Sequence, residues 1–289
     1  MPLLLAGRVP YATAAVGASR GAFLLDWGST ASVIDPTGMT PVPSPVAGTT
    51  DHWADFAFFG GWGEVVLAPQ DLSAFVGPPR EAGIIGTDFL ALNVYVVDWA
   101  RGELSRAEPG QGCGDAALVA AGLRPLSTAG YFAKHLDDLL PGVPNVLAVP
   151  VRVGRAVAPA QLDTGYDDRV VSPAMNVNRA FFDAIGADVA LVPAPELDVV
   201  LSTCTGVAEP VSAWRLPAGA AVELVGMDGN AVRREPGAVI YLKETPAAAA
   251  AAAASAPGPR RRPSSRSRSW PGPGAPSSIE TARVWLPGP

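Results

Sequence analysis

The sequence predicts a mainly β protein made of two similar halves. Short apolar or alternating runs dominate both halves, for example GAFLLDW (21–27) in the first and GAVIYLKE (237–244) in the second, and such runs are typical of strands. The chain has 31 glycines and 30 prolines among 289 residues, which supplies the turns that many short strands need. An apolar strand also ends in Asp-x-Gly once in each half, at Asp26 and at Asp163.

Composition excludes several classes of protein. A hydrophobic content of 48% over 289 residues is enough to bury a core of one large or two modest domains. The net charge of −6 and the pI of about 5.0 argue against a nucleic-acid-binding protein. The N-terminal apolar run in 1–16 is short and lacks a basic leader, and no later run is long enough to span a membrane. The sequence therefore leaves the localisation open.

The metal-ligating residue types are too sparse to predict a metal site or a cofactor. Two cysteines, Cys113 and Cys204, cannot build a zinc site, and they leave three alternatives open: one disulfide, two free thiols, or one cysteine of each kind. The two histidines, His52 and His135, are far apart and lie in no metal-binding motif. We expect no metal and no cofactor.

The pattern along the chain divides it into five segments. Residues 1–106 and 145–245 each predict a β lobe, with a short helix expected in TDFLALN and NRAFFDAIGA respectively. Residues 107–144 contain Ala/Leu-rich helical patterns and predict a connector. Residues 246–278 are low in complexity, which predicts a disordered linker or aberrant sequence, with RNA contact by the Arg/Ser tract as a disfavoured alternative. Residues 279–289 predict a possible closing strand.

A third feature accompanies the two Asp-x-Gly turns. Ile84-Ile85-Gly86 is followed by a short helical pattern and by the apolar strand NVYVVDW. Together these features resemble a lobe of an aspartic protease of the retropepsin and pepsin type. In that family each lobe carries Asp-Thr/Ser-Gly on a tight turn, and a later apolar-apolar-Gly segment cradles the turn. The resemblance implies a single chain with a two-lobed double-β-barrel architecture, short helices and a helical connector between the lobes.

The resemblance also implies roles for individual residues. Asp26 and Asp163 would be the catalytic pair, and a hairpin with an exposed aromatic residue would form a flap that binds substrate. Core packing is the equal alternative for the tryptophan of that hairpin. The supporting residues would be Gly28, Ser29, Thr164, Gly165, Ile84, Ile85 and Gly86, and the flap residues would be Gly60, Gly61 and Trp62.

Paired carboxyl groups suit peptide hydrolysis without a metal or a covalent intermediate. The reaction needs a base that activates water and an acid that protonates the substrate. Two carboxyl groups in close contact share one proton because both cannot ionise comfortably, so each can take one of the two roles. Glycine after the Asp-x pair permits close packing of the backbone.

The sequence departs from the family pattern at three points. Trp27 stands where the first turn should carry a hydroxyl, although Thr164 can bond across to the opposite turn. Tyr166 follows the second turn, where the family usually has a small residue. The second half also has no clear cradle: VELVGMDGN (222–230) is a weak candidate, and the low-complexity segment occupies the expected place. We therefore hypothesise that residues 247–278 replace a folded segment.

Three functions follow from these features. The first is a monomeric aspartic endopeptidase that hydrolyses extended peptides. The second is a catalytically impaired protease-like protein that still binds peptides, because Trp27 and the atypical second half spoil the site. The third is a two-domain β binding protein in which both Asp-x-Gly turns are incidental.

Overall fold

The computed structural model describes residues 1–6, 9–73, 78–90, 93–107, 112–126, 148–165, 173–202, 208–243 and 284–287. The protein is mainly β, which confirms the predicted class. The low-complexity segment 246–278 lies outside the described residues, as do Cys204, His135 and Tyr166.

An eight-stranded, nearly closed barrel-like sheet is built from strands that lie between residues 4 and 85. The strands pair in the order β6-β5-β2-β3-β8-β4-β7, with β1 added at β2. The strands are β1 (Leu4–Ala6), β2 (Val9–Val16), β3 (Ser19–Leu25), β4 (Val33–Ile34), β5 (His52–Ala57), β6 (Gly63–Val66), β7 (Ala68–Pro69) and β8 (Glu81–Ile85).

The core of this sheet follows from the period-2 alternation of its strands. Phe23 and Leu25 of β3 point to the same side and are fully buried. Trp53 and Phe56 of β5 are buried in the same cluster although they are three residues apart, because the register of β5 shifts between them. The rings of Phe23 and Phe56 meet edge to face, with their centroids 6.0 Å apart. This cluster buries the end of β3 in the core, and Asp26 is the next residue of the chain.

Strand β8 lies between β3 and β4, although it comes much later in the sequence. It pairs in parallel with β3, where Leu25 faces Ile85, and antiparallel with β4, where Val33 faces Ile84. The chain therefore leaves the sheet after β3, returns as β4, and has the space between the two strands filled by β8. This arrangement holds both ends of the loop that contains Asp26.

The chain next forms a helical turn and two small pairs of strands. The turn α1 (Thr87–Leu90) follows β8, and β9 (Tyr95–Asp98) then pairs with β10 (Glu103–Arg106). The described part of the predicted connector holds α2 (Asp115–Ala120) and β11 (Leu123–Pro125), and residues 108–111 and 127–147 lie outside the described part. Within 279–289, β21 (Trp285–Pro287) is a strand and pairs with β11.

Two sheets and one helix are built from the described residues between 148 and 242. The helix α3 (Arg179–Gly186) is capped by Asn178, whose side chain accepts a hydrogen bond from Phe181 N, and it buries Ile185 in a core cluster. A four-stranded sheet has the order β13-β12-β18-β19, and a five-stranded sheet has the order β14-β20-β17-β15 with β16 on β17. Their strands are β12 (Ala148–Val153), β13 (Ala156–Gln161), β14 (Ala174–Val177), β15 (Val192–Pro193), β16 (Val199–Ser202), β17 (Ala208–Arg215), β18 (Ala221–Val225), β19 (Ala231–Pro236) and β20 (Val239–Leu242).

One pairing pattern occurs in both halves. After the Asp26 loop, β4 pairs in parallel with β7, and Gln70 N then donates to Ile34 O at 2.8 Å. In the second half β14 pairs in parallel with β20, and Lys243 N donates to Val177 O at 2.9 Å. The two halves thus share backbone geometry as well as the Asp-x-Gly motif.

The candidate for a second cradle, VELVGMDGN, is not one. It forms β18 and the turn that leads into β19, so that it belongs to a hairpin rather than to a strand beside Asp163. Met227 and Asp228 are the central residues of that turn, which Gly229 N closes by donating to Gly226 O at 2.9 Å. Within the described ranges, no strand lies between β13 and β14 in the way that β8 lies between β3 and β4.

Two further properties concern the surface of the chain. The thiol of Cys113 is free and exposed. Among the residues that the structure describes, no helix combines the length and the apolar character needed to cross a membrane.

A buried carboxyl group lies on the side of the sheet away from the main core. Glu81 at the start of β8 is 6% exposed, and the Tyr11 hydroxyl donates a hydrogen bond to its Oε1. Its Oε2 is buried and has no hydrogen-bond partner among the described residues. Burial raises the pKa of Glu81 above its ordinary value, while the bond from Tyr11 opposes that change.

Replacing Glu81 with Gln should alter how stability depends on pH. Because the folded-state pKa is above the unfolded value, Glu81 lowers stability as the pH rises from the unfolded pKa through the folded one. We expect Glu81→Gln to raise the unfolding free energy at pH 7 and to change it little at pH 4, because the variant lacks the charged form that burial disfavours. Urea unfolding at both pH values tests this, with the exposed Glu103→Gln as control. An equal change at both pH values would contradict the prediction.

Candidate functional site

Asp26 begins the loop that leaves strand β3, which we call the first loop (26–32). Its backbone N–H donates to Ile85 O at 3.0 Å, so β8 holds the start of the loop. Its carboxyl Oδ1 accepts from Gly28 N at 2.7 Å, which folds the side chain over its own turn. One hydrogen bond therefore fixes the backbone of Asp26 and another fixes its side chain.

Asp163 lies in the equivalent turn after strand β13, the second loop (163–165). Its Oδ1 accepts from Gly165 N at 2.9 Å, which repeats the bond between Asp26 and Gly28. Asp163 is exposed, whereas Asp26 is half-buried. The same local turn thus places two carboxyl groups in different environments.

The two loops meet with their carboxyl groups in contact. The side chains of Asp26 and Asp163 share a hydrogen bond, and Gly165 N also donates to Asp26. A Cβ added at Gly28 would lie 2.7 Å from Asp163 Cγ, and one added at Gly165 would lie 2.7 Å from Asp26 Oδ2. Each glycine therefore leaves the space that the aspartate of the opposite loop occupies.

The contact changes the titration of Asp26. Burial, followed by the negative charge of Asp163, raises the pKa of Asp26 to about 6, although hydrogen bonds from Gly28 N and Gly165 N oppose the change. A hydrogen bond between two carboxyl groups requires one proton between them. Below about pH 6 Asp26 is consequently a neutral acid in contact with a second carboxyl group, and acid–base chemistry can use such a proton donor.

Thr164 joins the two loops through its hydroxyl group. Its Oγ1 accepts from Trp27 N at 3.1 Å and donates to Leu25 O at 2.8 Å. The bond across to the opposite turn that the sequence suggested for Thr164 is therefore present. Because both partners are backbone atoms beside Asp26, one side chain of the second loop fixes the position of the first.

Trp27 does not make the reciprocal contact. Its indole packs against the core of the first sheet and meets the ring of Tyr95 edge to face, with the centroids 6.2 Å apart. The indole thus adds apolar contact beside the half-buried Asp26. It carries no hydroxyl group with which to bond to the second loop.

Gln161, which the sequence analysis missed, makes another bond between the loops. Its Nε2 donates to Gly28 O at 2.7 Å. A glutamine on an exposed strand position is ordinary, so nothing in the sequence distinguished it. Only the meeting of the two loops gives the side chain a partner.

Ser32 and Asp88 support the far end of the first loop. The buried Ser32 donates through its backbone N to Asp88 Oδ2 at 2.9 Å and through its hydroxyl to Asp88 Oδ1 at 2.6 Å. Its hydroxyl also accepts from Gly86 N at 2.8 Å, and Thr87 N donates to Ser29 O at 2.9 Å. The sequence analysis named neither Ser32 nor Asp88, although the helical pattern TDFLALN, which contains Asp88, was a partial signal.

The predicted cradle is formed by Ile85 and Gly86 more than by Ile84. Ile85 is buried in the core below the first loop, and the Cβ of any larger residue at Gly86 would lie 2.9 Å from Ser29 O. Ile84 is half-buried and packs in a separate cluster with Tyr11. The expectation that both isoleucines lie beneath the loop was wrong for Ile84, because neighbouring residues of a strand face opposite sides of the sheet.

The predicted flap is the hairpin of β5 and β6. Gly60 and Gly61 are exposed at its tip, with φ values of 99° and 118° that favour glycine. Trp62 is not an exposed tip residue: it is half-buried, its Nε1 donates to Phe58 O at 2.8 Å, and its ring meets Phe89. The indole finds a hydrogen-bond partner and apolar contacts toward the core, which explains the difference. Contact between the tip and a substrate stays a prediction.

Comparison with known proteins does not assign a family. No protein-family model and no curated protein matches this chain. In the described part of the chain, no three His, Cys, Asp or Glu side chains are grouped as ligands for a metal ion.

Adding a methyl group at either loop glycine should separate the pair. Gly28→Ala and Gly165→Ala each bring a Cβ to 2.7 Å from the opposite carboxyl group, so the loops must move apart. We expect each change to cost about 1–3 kcal/mol of unfolding free energy. Gly186→Ala is the control, because its Cβ would meet no atom within 4 Å. Urea unfolding measures all three variants, and a Gly28→Ala protein as stable as the control would contradict this contact.

Replacing Asp26 with Asn should stabilise the protein at neutral pH. The raised folded-state pKa means that Asp26 lowers stability as the pH rises from about 4 to about 6. Asparagine stays neutral and can still donate to Asp163. We expect a gain of about 1–2 kcal/mol at pH 7, reduced by solvent at the half-exposed site, and little change at pH 4. The control is Asp183→Asn on the surface of α3, and a loss of stability at pH 7 for Asp26→Asn would contradict the account.

Proposed function

We propose that this chain is an aspartic endopeptidase that hydrolyses extended peptides with Asp26 and Asp163. The observation that carries the proposal is the hydrogen-bonded contact of the two carboxyl groups. Each carboxyl group packs against a glycine of the opposite loop, which leaves no room for a side chain there. The repeated turn and the bonds of Thr164 to the first loop add support. In this proposal the two halves form the two lobes of a double β-barrel, and the pair lies between them.

The environments of the two carboxyl groups suggest a division of roles. The half-buried Asp26, with its pKa of about 6, would hold the proton and act as the acid. The exposed Asp163 would be the carboxylate and act as the base. The two turns are equivalent in sequence, but their different burial would give the two aspartates different roles.

The reaction can then proceed in two balanced steps. Asp163 removes a proton from a water molecule as the water oxygen attacks the peptide carbonyl carbon, while Asp26 gives its proton to the carbonyl oxygen. The product is a tetrahedral diol, with the carboxyl proton now on Asp163 and Asp26 ionised. In the second step Asp163 protonates the leaving nitrogen and Asp26 takes a proton from a hydroxyl group of the diol, which breaks the C–N bond and restores the starting state.

An extended peptide is the substrate that a site between two β sheets would hold. The hairpin of β5 and β6 would lie over the peptide and offer backbone hydrogen bonds at Gly60 and Gly61, which are exposed. A monomer would contain both carboxyl groups. We expect no nucleic-acid partner, because the chain is acidic.

A second function is favoured by Trp27. Its side chain turns to Tyr95 and leaves the first loop without a hydroxyl group for the opposite loop. A pair held from one side only could bind a peptide without cleaving it efficiently. The alternative is therefore an impaired, protease-like peptide-binding protein.

Hydrolysis of an unstructured protein substrate between pH 3 and pH 7 tests the proposal. We expect weak activity that appears as the pH falls through about 6, because the pair then holds its single proton. Asp26→Asn and Asp163→Asn should each abolish activity, whereas the surface control Asp183→Asn should keep it. Peptide binding without turnover by the unmodified protein would favour the second function, and activity that survives Asp163→Asn would overturn the first.

Replacing Trp27 with Thr decides whether this residue limits the site. Threonine would supply the missing hydroxyl group and complete the reciprocal bonds between the loops. We expect activity to rise in the same assay, by up to about tenfold for one restored hydrogen bond. A folded Trp27→Thr protein with no activity at any pH would show that Trp27 is not the limiting residue.

A further inference from the structure

The two loops are joined unequally by their own motif residues. The second loop contributes the Thr164 hydroxyl, which makes two bonds to the backbone of the first loop, at 3.1 Å to Trp27 N and 2.8 Å to Leu25 O. The equivalent residue of the first loop is Trp27, whose indole packs toward Tyr95. Nothing in the Asp-x-Gly motif of the first loop can therefore return these bonds.

Gln161, which lies outside the Asp-x-Gly motifs, supplies another hydrogen bond between the two loops. It is the last residue of β13, two positions before Asp163, and its Nε2 lies 2.7 Å from Gly28 O. A carbonyl oxygen can only accept, so the amide nitrogen must face it. A Cβ at Gly28 would lie 2.8 Å from that nitrogen, which shows how closely the amide approaches the loop.

We infer that Gln161 is a positioning residue that keeps Asp26 and Asp163 in contact, in place of the hydroxyl group that Trp27 lacks. It touches neither carboxyl group and acts through Gly28, which is bonded to Asp26 Oδ1 at 2.7 Å. The assignment deepens the proposed function, but it concerns the contact itself, so it can be tested without hydrolysis.

The pH dependence of stability separates positioning from a merely structural role. Asp163 is the charged group that acts on Asp26, Asp88 is bonded to Ser32 at the far end of the first loop, and Tyr95 packs on Trp27. Loss of the contact exposes Asp26 to solvent and lowers its pKa, so the fall in stability between pH 4 and pH 6 becomes shallower. Loss of a structural bond alone lowers stability equally at every pH.

The experiment compares Gln161→Leu with the unmodified full chain by urea unfolding from pH 4 to pH 7. We expect the variant to be less stable at pH 4 and the difference to narrow by pH 7, as if the Asp26 pKa had fallen by about 0.5–1 unit. Val157→Ala, an exposed position on the same strand, is the matched control and should not change the slope. A constant difference across the pH range would overturn the inference.

The same substitution in two variant backgrounds makes the test specific. In the Asp26→Asn background, Gln161→Leu should no longer change the slope, because the titrating group is gone. In the Trp27→Thr background, Gln161→Leu should change the slope by half as much or less, because the restored hydroxyl group also holds the two loops together. Such non-additivity is expected of groups that share one contact. Equal effects of Gln161→Leu in all backgrounds would contradict the inference.

If the chain hydrolyses peptides, the same variants give an independent reading. Gln161→Leu should lower kcat with little change in KM, because Gln161 positions the acid and the base and does not bind the substrate. Higher activity in Gln161→Leu would overturn the inference, since it would mean that the amide blocks Gly28 O from a substrate. If neither the unmodified protein nor any variant hydrolyses peptides, the proposed function is contradicted. The pH dependence of stability then tests the role of Gln161 by itself.

Discussion

The site depends on one constraint: the two carboxyl groups can meet only because Gly28 and Gly165 carry no side chain. A Cβ at Gly28 would lie only 2.7 Å from Asp163 Cγ, and a Cβ at Gly165 only 2.7 Å from Asp26 Oδ2, so any side chain at either glycine would clash with the opposite aspartate. The two loops can therefore interlock, and the resulting burial and charge raise the pKa of Asp26 to about 6. Geometry and protonation thus have the same origin, because the glycines that permit the contact also bring together two groups that cannot both ionise easily.

The remainder of the first sheet acts as a frame for one partner of this contact. Strand β8 fills the space between β3 and β4, so Asp26 N reaches Ile85 O and Gly86 N reaches the Ser32 hydroxyl. Both ends of the first loop are fixed to the same strand. The second loop has no such strand within the described residues, and it is held to the first by the bonds of Thr164 and Gln161. The unequal support matches the unequal burial of the two aspartates.

Local patterns in the sequence predicted the elements that carry chemistry, and tertiary contacts determined the rest. Asp26 and Asp163 could be paired because the strand and turn pattern repeats, and Ile85 could be placed by its distance from the first turn. Gln161 could not be recognised, because its role exists only where the loops meet. For Trp62 the sequence left an exposed tip and core packing equally open, and the structure packs its ring against Phe89, since a large ring gains from burial against a core.

A titration of the full chain with ¹³C-labelled aspartate carboxyl groups tests the central claim most directly. If the two carboxyl groups are in contact, the Asp26 signal changes with a midpoint near pH 6, and Asp163→Asn lowers that midpoint because it removes the neighbouring negative charge. An Asp26 midpoint near the ordinary aspartate value of about 3.9, unchanged by Asp163→Asn, would show that the carboxyl groups are not in contact.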